Sequence, residues 1–221
     1  SEQRPIGGNA FAAFPALIRS PYLLGVALWV SLLSFAATIV YFQQANIVAA
    51  TVQGAGQQTR VFASIDLAVG LLSLATQVFA TGQFIKRFGT GIAASALPAV
   101  YVVGFIAIAL SPTLMVVLAV QVFQRWMHFA IANPARQVFF TVLDREDKYK
   151  AKNLIDAVVY RGSDALYAWV YEALGALGLK LGAIALVAWP VVAGWLVLSV
   201  VLGRMQERRA AEHEQPTGPQ A

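Results

Sequence analysis

The chain has 221 residues, 58% of them hydrophobic and 12% charged, about half the charge of a soluble domain, where roughly a quarter of residues are charged. With a mean hydropathy of +0.65, a soluble fold of this size cannot hide its apolar surface, and the composition places the chain in a lipid bilayer. The absence of cysteine excludes a disulfide framework and a thiolate metal centre, two histidines exclude a His-rich one, and the formal charge of +5 comes from basic residues set between apolar runs, which fits a membrane and not nucleic acid.

The sequence opens Ser1-Glu2-Gln3-Arg4, with neither an initiating Met nor a signal peptide, and reads as a piece cut from a longer chain. Residues 1–21 read as an interfacial helix or linker. Phe11, Phe14, Leu17 and Ile18 recur there at helical spacing, Asn9 is placed to cap them and Pro21 to end them.

A helix rises about 1.5 Å per residue and the hydrocarbon core is about 30 Å thick, so a span needs roughly 20 apolar residues. Six stretches meet this: 22–43, 61–84, 90–110, 114–141, 155–178 and 181–203. The expected fold is therefore all-α and polytopic, a six-helix bundle over 22–203. Residues 204–221 are expected to form a disordered cytoplasmic tail. Lys and Arg set the orientation. Arg4, Arg19, Lys86, Arg87, Arg136, Arg145, Lys148, Lys150, Lys152, Arg204, Arg208 and Arg209 fall on one side, against Arg60 and Lys180 on the other. Both termini are thus expected in the cytoplasm, with the bundle in the inner membrane.

Ionisable groups at bilayer depth usually face a bundle interior or a water-filled cavity. On the fourth span Gln121, Gln124, Arg125 and His128 form one stripe at helical period. On the fifth, Tyr160, Asp164, Tyr167 and Tyr171 form a second, with Arg161 beside it. The second span carries Asp66, Gln77, Thr81 and Gln83, and the first ends in Tyr41, Gln43, Gln44 and Asn46. Pro134, after Asn133, is placed to bend the fourth span near its cytoplasmic end. The third and sixth spans contain no Asp, Glu, Lys or Arg. This alternation reads as two triplets whose last helices face lipid, the plan of inverted repeats in transporter halves.

The turn after the second span, Gly82-Gln83-Phe84-Ile85-Lys86-Arg87-Phe88-Gly89, resembles the short basic loop of the major facilitator superfamily, without the acidic residue that usually precedes its basic pair. The stretch Arg145-Glu146-Asp147-Lys148-Tyr149-Lys150-Ala151-Lys152-Asn153, followed by Asp156 and Tyr160 to Ala165, resembles the loop and following helix of bacterial relatives of the ATP/ADP antiporter (nucleotide translocase) family. Arg19 to Leu24 is similar to the start of the seventh helix in those proteins. The resemblance implies the carboxy-terminal six-helix half of a twelve-helix carrier. It implies a gating role for Gly82, Lys86, Arg87 and Gly89, and for Arg145, Lys150, Lys152 and Asp156. It carries over no nucleotide-contacting residue.

Each polar feature keeps two readings. Arg125 and His128 either meet an anionic solute, His128 acting as a proton-coupling group, or they pair inside the bundle. Asp164 is either a proton acceptor or gate, or the partner of Arg161. Asp66 either takes part in transport or only favours the start of its helix. The tyrosines either line a cavity or anchor helix ends at the interface. The alternating charges of 144–156 cap helices and form salt bridges that favour one access state, and their acids argue against nucleic acid.

The leading expectation is a secondary transporter of the facilitator type, moving a small organic, anionic or nucleotide-like solute. Its partners would be the bilayer, a second six-helix half, and a proton or an exchanged solute, with no cofactor, no metal and no catalytic residue. The alternatives are a non-transporting scaffold or sensor module and, less in keeping with the residues, a membrane enzyme.

Overall fold

The computed structural model describes residues 14–143 and 145–214. Arg4, Asn9, Phe11, Asp144 and residues 215–221 lie outside them, as do the side chains of Arg145, Lys148 and Lys150. Every regular element among the described residues is helical. In chain order these are α1 (Phe14–Arg19), α2 (Pro21–Thr51), α3 (Ala55–Thr76), α4 (Gly82–Leu110), α5 (Leu114–Met127), α6 (Asn133–Phe139), α7 (Arg145–Leu154), α8 (Arg161–Ala176) and α9 (Leu181–Glu214). Wider π turns at Gln77–Thr81, His128–Ala132 and Ile155–Tyr160 join α3 to α4, α5 to α6 and α7 to α8.

Four helical stretches are long and apolar enough to cross a membrane: Pro21–Thr51, Ala55–Leu110, Leu114–Phe139 and Leu181–Glu212. The count differs from six for two physical reasons. The second and third expected spans lie in one run of 56 residues, about 84 Å if straight, and the run is broken at Gly89 (φ 82°, ψ 165°). Those angles suit glycine and disfavour any side chain. The fifth expected span falls on the π turn Ile155–Tyr160 and α8, where Asp156, Arg161, Asp164 and Glu172 dilute the apolar surface.

Ser20 caps α2 by accepting from the Leu23 N–H at 3.4 Å, and Pro21 starts the helix, where its missing N–H costs nothing. α2 is buried around most of its circumference and touches α5, α8 and α9. The core lies between α2, α4, α6 and α9. The Trp29 ring meets Trp195 and Phe139 edge-on at centroid distances of 5.5 and 5.9 Å, and its Nε1 donates to Ser199 Oγ at 2.8 Å.

Helices in lipid gain nothing from hydrophobic exclusion of one another, so close packing of small residues must hold them together. Here α4 and α9 meet at Gly91 and Gly203, where a Cβ added to Gly203 would fall 2.1 Å from Gly91 Cα. Their outer faces carry exposed Ile92, Val103, Leu110, Leu186 and Val197, as lipid contact requires.

The expected disordered tail is corrected over 204–214, where α9 continues as helix. Those residues are helix formers with tertiary partners. Gln206 is buried, and the Arg209 guanidinium lies 4.6 Å over the Tyr22 ring. The Tyr22 hydroxyl in turn donates to the Phe139 carbonyl at 2.7 Å.

Gly203→Ala is expected to lower the melting temperature in detergent by several degrees, because overpacking costs about 1–3 kcal/mol or more. Gly194→Ala, with open space around its Cβ, should not lower it and is expected to raise it slightly, because Ala favours helix over Gly by up to about 1 kcal/mol.

Candidate functional site

Four helices that carry polar groups enclose a cavity of about 660 Å³. α2 contributes Thr38, Tyr41, Phe42 and Gln44, and α3 contributes Phe62 and Asp66. Gln121, Gln124 and Arg125 come from α5, His128 and Phe129 from the π turn that follows it, Tyr160 from the turn before α8, and Asp164 and Ala168 from α8. None of the lining residues belongs to α4 or α9.

All four residues of the fourth-span stripe reach this cavity, since residues three and four apart share a helix face. Their orientations are fixed from behind. The Tyr101 hydroxyl donates to Gln124 Oε1 at 2.6 Å, and Gln124 Nε2 donates to Gln121 Oε1 at 3.0 Å. This order leaves the Gln121 NH₂ pointing onward without a protein partner among the described residues. Gln44 lines the same space, also without one. The Gln121 NH₂ and the Gln44 amide thus keep unused hydrogen-bonding atoms, and five Phe or Tyr rings line the same cavity.

Arg125 is ion-paired with Asp66, joining α5 to α3. Asp66 is thus the partner of the one arginine lining the cavity, a relation across the fold that reading each span separately does not supply. Asp164 accepts a hydrogen bond from the Ser34 hydroxyl. The expected Arg161–Asp164 pair is absent among the described residues, because Arg161 points outward and is exposed while Asp164 turns to α2.

The tyrosine stripe divides. Tyr160 lines the cavity. The Tyr167 hydroxyl lies 2.9 Å from Ser31 Oγ, and Tyr171 accepts from Asn46 Nδ2 at 3.0 Å while its ring stacks on Phe42 at 5.0 Å. These two are seam residues between α8 and α2, continued by Ser163 Oγ donating to Ser31 Oγ at 2.8 Å.

A smaller cavity of about 320 Å³ adjoins the first and shares His128 and Tyr160 with it. Asn133, Arg136 and Asp156 complete its lining, with Arg136 Nη1 at 3.2 Å from Asp156 Oδ1. Lys152 Nζ donates to Gln137 Oε1 at 2.8 Å nearby. Arg125 and Arg136 are eleven residues apart in one helical run, about 16 Å along its axis. Each thus holds a carboxylate at one end of the joined cavities.

The turn expected over 82–89 is corrected: Gly82, Lys86 and Arg87 lie in the first turns of α4 and are exposed, Arg87 lies 5.7 Å over the Phe88 ring, and the chain departs from helix at Gly89. The π turns lie beside this ladder of contacts. Gln77 Nε2 donates to the Phe129 carbonyl at 3.0 Å, and Thr81 Oγ1 to the Ala130 carbonyl at 2.7 Å. The carbonyls reached this way belong to the widened turn just ahead of Pro134, which has no N–H to return to the helix.

No protein-family model matches the chain. It is similar to ADP,ATP carrier protein 2 of Chlamydia trachomatis serovar D, 28% identical over a 234-position alignment covering 92% of this chain and 42% of the relative. It is likewise similar to ADP,ATP carrier protein 2 of Chlamydia pneumoniae, 26% identical over 242 positions covering 96% of this chain and 44% of the relative. The chain spans less than half the length of these curated relatives. Apolar helices of spanning length and similarity to carriers together make it a multi-pass membrane protein.

The Asp66–Arg125 pair generates a stability test. Both side chains are partly exposed, Asp66 at 61% and Arg125 at 33%, so solvent screens the pair and its coupling is about 1 kcal/mol or less. Arg125→Ala, Asp66→Ala and the double variant should each move the melting temperature by no more than about 4 °C, and a much larger loss in either single variant than in the double would show a desolvated pair.

Proposed function

We propose that the chain forms one six-helix half of a facilitator-type carrier in the inner membrane. Its cavity, closed by a second half, alternates access between the two sides. The observation that carries this reading is the cavity itself: of solute size, lined by polar groups set among apolar and aromatic ones from α2, α3, α5 and α8, with no residue from α4 or α9. The six-span count rests on two features, the Gly89 break dividing Ala55–Leu110 and the continuous helical run from 145 to 176. The distribution of Lys and Arg supports cytoplasmic termini.

The solute in this reading is a small organic molecule with an aromatic or planar part and an anionic part, nucleotide-like as the relatives' names indicate. Rings such as Phe42, Phe62 and Phe129 offer stacking faces, and the free amides of Gln44 and Gln121 offer donors and acceptors for a planar edge. The charge balance sets a condition. This half presents Arg125 against two carboxylates, Asp66 and Asp164, so an anion must either displace Asp66 from Arg125 or find further cations on the second half. Coupling to a proton or to an exchanged solute runs through His128 or Asp164, the titratable groups at the centre of the lining. The reading assigns no catalytic step, no cofactor and no metal.

Uptake by the full-length protein in proteoliposomes tests this, with labelled ATP and ADP compared against sugars and amino acids, with and without a pH gradient. A saturable flux is expected, falling at least tenfold in Arg125→Ala and in Asp164→Asn while the protein stays folded. Flux unchanged in both variants would remove these residues from the solute path. No flux from folded protein across the panel would favour a non-transporting membrane module.

A further inference from the structure

The smaller cavity contains an ion pair that is geometrically incomplete. Arg136 and Asp156 are close enough to attract, yet Asp156 Oδ1 and Arg136 Nε are both buried without a hydrogen-bond partner. Arginine–carboxylate pairs are frequently bidentate, with two parallel hydrogen bonds to the guanidinium fork. This one touches the guanidinium through Nη1 and leaves Nε open. The other lining groups, the Asn133 amide, the His128 ring and the Tyr160 hydroxyl, all have hydrogen to donate. The helices on both sides are widened here by the π turns His128–Ala132 and Ile155–Tyr160, a departure that recurs where helices serve a function.

We infer that Arg136 is a second binding site, on the cytoplasmic side of the main cavity, for an anionic oxygen group such as a carboxylate or phosphate, and that Asp156 holds the guanidinium until that group displaces it. Arriving oxygens would take the side-on fork of Nε and Nη2, drawing the guanidinium away from Asp156, which reaches only Nη1. The shared walls at His128 and Tyr160 then let the rest of the solute enter the main cavity. The inference rests on the carrier reading for its purpose, but its chemistry is local and binds without transport.

The test uses the full-length protein with Asn133→Cys as its single thiol, this chain contributing no other cysteine. Labelling by a membrane-impermeant maleimide is followed from the cytoplasmic face, with inorganic pyrophosphate as the probe and adenosine as the uncharged control. Pyrophosphate is expected to slow labelling at least fivefold and adenosine to leave it unchanged. In Asp156→Asn, with the resident charge gone, half-protection should need at least fivefold less pyrophosphate. In Arg136→Gln protection should vanish. Should that variant misfold, Arg136→Gln with Asp156→Asn removes the pair without stranding a charge and should also show none. Protection that survives loss of Arg136, or no protection in either the parent or Asp156→Asn, overturns the site. Protection without uptake of any solute would keep the site and remove the carrier reading. Uptake without protection would do the reverse.

Discussion

A polar atom left unpaired in hydrocarbon costs several kcal/mol, because no water is there to satisfy it. The interior of this bundle is organised around that cost. α2 is lined on its α8 side by Ser31, Ser34 and Asn46, each matched to a hydroxyl or carboxylate opposite. On its α9 side the polar contacts are Trp29 to Ser199 and Gln43 to the Leu181 carbonyl. Many of the remaining polar groups line the two adjoining cavities, while Gln43 Oε1, Ser73 Oγ and Trp195 Nε1 stay buried without a partner among the described residues. The same constraint that seals one side of the bundle opens the other.

Two ion pairs follow from this arrangement, and they are not equivalent. Asp66 and Arg125 tie α3 to α5 in a hydrogen-bonded contact. Arg136 and Asp156 face each other across the smaller cavity with hydrogen-bonding atoms unused. Since both arginines belong to one helical run, any displacement along that run strains both pairs. The π turn between them, at His128–Ala132, is the point where such strain is most easily taken up. Its carbonyls are held by Gln77 and Thr81 from the neighbouring helix.

Much of this was legible in local sequence. Helical period put Gln121, Gln124, Arg125 and His128 on one face, and that face lines the cavity. The charge-free stretches 90–110 and 181–203 are the two helices that stay out of it. What local reading misses is pairing between helices distant in sequence. Tyr167 and Tyr171 share a stripe with Tyr160, yet α2 covers them with Ser31, Phe42 and Asn46, and nothing near residue 170 foretells that. Asp66 as partner of Arg125, and Asp156 as partner of Arg136, are likewise relations across the bundle. The helical stretch 204–214 is hidden from composition by its charge, since the Tyr22 ring under Arg209 lies far away in sequence. The π turns leave no periodic trace, apart from Pro134 just beyond one of them.

The contact at Gly91 and Gly203 has a mechanical corollary. Two backbones that touch with no side chain between them cannot slide or rotate without collision, so α4 and α9 form a stiff double rib along the lipid side. Stiffness there is matched by compliance on the other side, where wide turns and an unfilled space separate the helices. A load applied at the cavity is therefore not shared evenly across the bundle.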